Sequence, residues 1–247
     1  YFLPRFGHLM TVFDGDGNDT APVAVRSMTS VGNPLFLADT AFSPKIRFIN
    51  SAYTLETQPV DIYDDELLTS LVASNLQFKQ ATVDFDTSVE TKTYYFTPAN
   101  STATILFDQE ITSPAPGTFT HVYAVGDTDS WIGTRFVPDR AVSITSAKLR
   151  IFHGALNFDL FDVYLKQRDE VLEEDDLPLI ISATYSQLAP GVQLVAGSYD
   201  IYLTERGNKT QIAGPYPIDV VAGDIVDLIA VDTADPVIVE LVDVPVP

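Results

Sequence analysis

The chain writes one strand–turn–strand pattern twice, as "KIRFINSAYTLETQPVDIY" over residues 45–63 and as "KLRIFHGALNFDLFDVY" over residues 148–164. Lys45, Arg47 and Ala52 recur as Lys148, Arg150 and Ala155 at an offset of 103, and "VDIY" (60–63) recurs as "FDVY" (161–164) at 101. Further along, "YYFTPANSTATILF" (94–107) aligns with "YDIYLTERGNKTQIA" (199–213), and "HVYAVGDT" (121–128) with "VDLIAVDT" (226–233), both near an offset of 105. The order of elements is kept while the offset drifts by a few residues, as loop insertions allow. Internal duplication is the economical reading, and it requires both halves to share one strand order.

The segments around this repeat are short and rich in β-branched and aromatic residues: "TVDF", "TYYFT", "THVYAV", "SYDIYL", "PIDVVA" and "PVIVELV". Most alternate apolar with polar, the period of a half-buried strand. Turn-formers such as "SPAPG", "TPANS", "ERGNK" and "VAGD" separate them, at roughly the 8–12 residue spacing of sandwiches. Sixteen scattered prolines leave little room for long helices. The helix candidates are residues 64–76 and 167–180, and both are equally readable as loops leading to an edge strand. The fold class is therefore all-β: two tandem immunoglobulin-like antiparallel β-sandwiches of the usual seven-strand size. The repeats are expected at 45–143 and 144–247. Residues 1–44 are expected to be the closing hairpin of a preceding, truncated copy, or strands packed on the first full one. "HLMTVFDGDG" (8–17) looks like "HVYAVGDTDS" (121–130), and "PLFLAD" (34–39) looks like "TRFVPD" (134–139). The connection "RAVSITSA" (140–147) lacks glycine and proline, so the two units are expected in a restricted arrangement.

Of the 247 residues, 46% are apolar, enough for sizeable cores. The net charge of −20 makes nucleic acid and acidic membranes poor partners, and suits cation binding, solubility or a salty environment. With no cysteine, a disulfide framework, a zinc–thiolate site and a thiol nucleophile are all excluded. No stretch reaches the apolar length of a membrane-spanning helix. The chain starts at Tyr1 rather than methionine, so a segment is expected to precede it, and localisation is not set by what is present.

"FHGA" (152–155), "FDVY" (161–164), "AGSY" (196–199) and "AGDIVDLIAV" (222–231) follow one another as a strand ending in His and small residues, a D-x-Y strand, and two glycine turns before strands. In these motifs the second copy resembles the bacterial domains of unknown function numbered DUF4397. The first copy departs from the pattern, with "ETKTYY" (90–95) and "PGTFTHVYAVG" (116–126) in place of the glycine turns. The resemblance covers about four fifths of the chain, from Lys45 onward. It implies a β-sandwich of secreted or surface-anchored bacterial proteins, often in tandem, and carries no catalytic motif.

Several residues invite a chemical role. In "DGDGNDT" (14–20), Asp14, Asp16 and Asn18 alternate as the first ligands of a calcium loop do. Asp19 stands where an EF-hand needs glycine and Val25 where it needs a bidentate glutamate. The same residues also make a solvated hairpin turn. The run "RDEVLEEDD" (168–176) holds six carboxylates, whose repulsion favours a mobile, solvated loop. His8, His121 and His153 are far apart; His153 stands where the first copy has Asn50, which points to a hydrogen-bonding strand cap. Trp131 is the candidate stacking residue for a carbohydrate, or else a strand residue at a sheet edge or between domains. Lys45, Arg47, Lys148 and Arg150 are basic alternates in an acidic chain, with Asp61 and Asp162 as their expected partners across the sheet. No catalytic, cofactor or metal residue is assigned. The expected function is that of a non-enzymatic, extracytoplasmic structural or adhesive module meeting a surface protein or glycan. A carbohydrate- or calcium-binding surface protein is the alternative; the oligomeric state is left open.

Overall fold

The computed structural model describes residues 43–53, 58–126, 131–138 and 144–244 in full, and the backbone alone of 8–13, 24–29, 34–37, 127 and 130. Near the N-terminus, β1 (His8–Phe13), β2 (Ala24–Thr29) and β3 (Pro34–Leu37) form an antiparallel sheet in that order. The closing hairpin expected of "HLMTVF" and "PLFL" is thus interrupted by a third strand, "AVRSMT", paired to both.

From Lys45 onward the chain builds eight strands, and then builds them again. The first set is β4 (Lys45–Asn50), β5 (Val60–Tyr63), β6 (Leu71–Leu76), β7 (Phe85–Asp86), β8 (Lys92–Pro98), β9 (Phe107–Ile111), β10 (Phe119–Asp127) and β11 (Ser130–Phe136). The second is β12 (Ala147–His153), β13 (Leu160–Gln167), β14 (Ile180–Thr184), β15 (Val192–Leu194), β16 (Gly197–Glu205), β17 (Gln211–Val220), β18 (Ile225–Asp232) and β19 (Val239–Asp243). Each set makes two four-stranded sheets. In the first unit their orders are β11-β10-β4-β7 and β6-β5-β8-β9; in the second, β19-β18-β12-β15 and β14-β13-β16-β17. Every strand of the first unit has its counterpart eight strands later, in the same place.

Two details depart from the expectation. Each unit has eight strands rather than seven, and its front sheet contains one parallel pair, β4 with β10 and β12 with β18. Neither helix candidate is helical. Residues 64–70 are turns leading into β6, with Leu68 at a φ of 54°, and 168–179 are turns and extended chain between β13 and β14, with Asp169 at 66°. Left-handed residues of this kind break a helix.

Inside each sandwich the alternate side chains interlock. Ile46, Phe48, Ile62, Phe96 and Val122 are at the centre of the first core, with Leu149, Ile151, Phe161, Leu203 and Leu228 at the centre of the second. The opposite faces of the two front sheets also bury apolar residues, beside a few charged ones. Ile49, Tyr123 and Val125 from the first unit meet Phe152, Ile229 and Val231 from the second in a third buried cluster. The four sheets therefore stack as outer, front, front, outer. The central front strands β4, β10, β12 and β18 are buried on both faces over most of their length and read as nearly unbroken apolar runs, as doubly covered strands do.

The contact between the units is reciprocal. Matching hydrogen bonds identify Lys79 and Ser186 as counterparts: Lys79 N–H donates to Asn50 O (2.8 Å), and Ser186 N–H to His153 O (2.7 Å). Both residues have positive φ, 67° and 59°. Lys79 reaches Glu240 on β19 at 2.6 Å, while the Ser186 hydroxyl meets that of Thr134 on β11, the counterpart of β19. Ser51 and Gly154, counterparts themselves, abut: a Cβ on Gly154 would lie 3.3 Å from that of Ser51. Reciprocal contacts around a self-contact are the mark of an isologous, two-fold interface. The two halves of this chain close on one another as a homodimer would.

Candidate functional site

The basic strand residues lie on the front faces, between the sandwiches. Arg150 on β12 makes a two-point ion pair with Asp227 on the neighbouring β18, Nε to Oδ1 and Nη2 to Oδ2 both at 2.5 Å. Arg47 pairs with Asp84 at 2.8 Å. Around them, burial and the Asp227 charge raise the Tyr123 phenol, with the Arg150 and Arg47 charges opposing. Burial, then Asp227, raise the Asp243 carboxyl. The expected partners, Asp61 and Asp162, are elsewhere.

Those two carboxylates sit on the outer sheets and hold turns that cross them. Asp61 accepts the N–H of Asn75 through Oδ1 and of Asn100 through Oδ2, both at 2.7 Å. Asp162 accepts Ser182 N–H (2.7 Å) and Gly207 N–H (2.8 Å) in the same way. All four donors have positive φ: Asn75 and Ser182 stand at irregularities of the edge strands β6 and β14, and Asn100 and Gly207 in tight turns, so each carboxylate ties one strand irregularity to one turn. Beside them Tyr63 pairs with Tyr95 and Asp61 with Thr97; the second unit repeats this with Tyr164 and Tyr202, Asp162 and Thr204. Asp162 is 3% exposed, a buried anchor of backbone N–H groups rather than the expected partner of a basic strand residue. Asp162→Asn is expected to lose about 2–4 kcal/mol, because an amide cannot accept at both ends. Urea unfolding of the variant measures this, and an unchanged midpoint would contradict it.

The acidic run 168–176 is held by contacts at several points rather than standing free as a solvated loop. Lys166 Nζ contacts both Asp176 oxygens (2.7 and 2.8 Å), Lys209 Nζ donates to Asp176 O (2.6 Å), and the Tyr202 hydroxyl donates to Glu170 O (2.8 Å). Arg168 pairs with Asp200 and Asp219. Lys209 also lies 3.9 Å from the centre of the Tyr164 ring, in cation–π range. Lys166 and Lys209 set positive charge against Asp176 and so offset part of the repulsion within the run.

His153 is wholly buried, 4.1 Å from the Phe161 ring centre and edge-on to Tyr185. Neither ring nitrogen has a partner of hydrogen-bonding geometry among the described residues. Burial pushes its pKa down to about 3, with the Phe158 backbone weakly opposing. Its counterpart Asn50 is a true cap, donating to Leu76 O and accepting from Ala52 N–H. The folded form holds His153 neutral while the unfolded chain protonates it, so stability present above pH 6.5 is lost as pH falls toward 3. By pH 5 the loss is about 2 kcal/mol relative to neutral pH. His153→Asn should remove that part of the acid sensitivity; identical pH profiles for the two proteins would refute the assignment.

Trp131 is half-buried on the edge strand β11, parallel to Phe107 at 6.4 Å and packed on the first core. Phe107 in turn stacks on Phe96 at 4.1 Å, so the indole continues an internal aromatic column. His121 is buried in the front face beside Tyr123. Of His8 and Val25 only the backbone is described, and the candidate calcium turn Asp14–Asp19 lies outside the described residues. Among the described residues no three His, Cys, Asp or Glu side chains are grouped to hold a metal.

The concave feature that sequence reading missed is at the open side of the first sandwich. Between edge strand β6 and residues 80–85 lies an open cavity of about 330 Å³. Val72, Ala73, Leu76, Ala81 and Phe85 give it apolar lining, Ser74, Asn75, Gln80 and Thr82 polar lining, and the exposed Val83 completes its edge. The signal in the sequence is the size of paired residues: Ala73, opposite Ile62, stands where the second unit has Ile180, opposite Val163.

No family model and no curated protein matches this chain. Among solved structures it is similar to CBMbc, a family CBM26 module of Amy13K from Eubacterium rectale in complex with maltoheptaose. That likeness has 10% identity and a TM-score of 0.28, over 82% of this chain and 98% of that one. The Bacillus anthracis TIE protein is similar at 10% identity and a TM-score of 0.25, over 86% of this chain and 42% of that one.

Proposed function

We propose that this chain is a non-catalytic, extracytoplasmic structural and interaction module, akin to the DUF4397 domains its second repeat resembles. It meets a surface protein or glycan through the loops and edges of a rigid pair of sandwiches. One observation carries the reading: the chain commits its buried charge to architecture. Asp61 and Asp162 hold turns, and Asp84 and Asp227 hold arginines between the sheets. Asp232 accepts the N–H groups of Leu156 (2.6 Å) and Asn157 (3.1 Å), and Asp200 that of Asp169 (2.8 Å). Catalytic carboxylates instead face a cleft where a substrate can reach them. The strongly negative exterior suits a soluble surface that repels anionic lipid and nucleic acid. No helix among the described residues is long and apolar enough to cross a membrane. Treating intact cells with external protease tests the proposal: the chain should be cleaved before cytoplasmic markers are released. Protection until lysis would contradict it.

A further inference from the structure

We propose that the cavity at the open side of the first sandwich binds a neutral carbohydrate, with the Phe85 ring as the platform for one sugar residue. The internal repeat supplies the comparison. Phe85 pairs with Ile46 where the second unit pairs Val192 with Leu149, and Ala73 stands where that unit has Ile180. The second unit thus has two branched aliphatic residues where the first sets a flat ring beside an alanine. Ile180 is only 8% exposed and belongs to the second core. At the same place in the first unit the core is left open beside an aromatic face.

The chemistry of the lining selects the ligand. The chain carries 48 charged residues (14 + 34), yet none lines this cavity. An anion or a cation would find no counter-charge there, and a neutral polar ligand needs none. Phe85 is fixed from behind by Phe48 at 5.4 Å and Tyr94 at 6.4 Å, so its ring is pre-organised, as a stacking platform must be. Ser74 and Asn75 are exposed in its lining. Gln80 also lines the cavity, and its Oε1 accepts from Gln77 N–H at 3.3 Å. An apolar ring flanked by hydroxyl and amide groups matches a pyranose, whose C–H face is apolar and whose edge is a row of hydroxyls. The volume is within the usual range for small-ligand sites.

The inference rests on the interaction-module reading and names the ligand class for its glycan side. Backbone-amide NMR of the intact chain, titrated with maltotriose, cellotriose and chitotriose at millimolar concentration, tests it. At least one should move the amides of residues 72–76 and 80–85 together. Ala73→Ile, which installs the residue of the second unit, should abolish that response while the other amides stay in place. Gln80→Ala, which leaves the apolar lining intact, should weaken binding by roughly tenfold. Silence toward all three sugars, shifts elsewhere, or binding that survives both substitutions would overturn the inference. So would a response to a valine–threonine peptide alone. A chain that is silent here and still cleaved on intact cells would overturn this inference and leave the module reading standing.

Discussion

Arg150→Ala is expected to destabilise the protein by about 3–5 kcal/mol, the usual effect of stripping one partner from a buried ion pair. Arg150 and Asp227 are each 3% exposed. Removing the guanidinium leaves the carboxylate between two apolar sheet faces, beside Tyr123 and near Asp243. Asp227 must then take up a proton or draw in water, and either opens the contact between the units. The loss comes from the abandoned charge rather than from the worth of the pair. Arg150→Met combined with Asp227→Val, uncharged and close to the original pair in total volume, should therefore recover most of the stability. Urea denaturation of the single and double variants separates these cases. A double variant as unstable as the single one would show that the pair itself, and not its breakage, holds the sheets.

Phe152→Ala is the second large effect, also about 3–5 kcal/mol. The ring is fully buried, stacked on Tyr123 at 3.8 Å and edge-on to Phe136 at 5.8 Å. It belongs to neither sandwich core but to the cluster between them. Its removal should leave both sandwiches folded while loosening their contact. One unfolding transition in the parent chain should become two in the variant, since coupling between the units is what merges them. A lower but still single transition would place Phe152 in the second core instead.

The β-architecture was legible because strands declare themselves through β-branched and aromatic alternation, and the repeat because Lys45, Arg47 and Asp61 have literal copies. The registers were less so. "HVYAV" aligned on "VDLIA" puts His121 on Val226, yet Arg47 pairs with His121 and Arg150 with Asp227. The alignment is one residue off, and such a slip exchanges the two faces of a strand. Tyr94 aligned on Tyr199 is off by two, which keeps the face: Tyr95 is the true counterpart of Tyr202. The role of Asp61 and Asp162 was hidden because alternation tells which face a residue takes, not what crosses over it. The front-to-front packing did leave a trace. "RFI", "RIF" and "VYAV" place apolar residues at consecutive positions, which a sheet solvated on one face does not need. The cavity left only the contrast between Ala73 and Ile180, and that has meaning only once strand pairing sets them in register.

The two halves close face to face about a local two-fold axis, and the absence of cysteine from the chain makes a direct test of that contact clean. Thr134 on β11 and Ser186 before β15 bring their hydroxyls into contact across the interface. In the double variant Thr134→Cys, Ser186→Cys, mild oxidation should form one disulfide within each monomer, seen as faster migration on a non-reducing gel with no dimer band. Two thiols that stay free, or that pair only between molecules, would mean that the sandwiches do not meet as described.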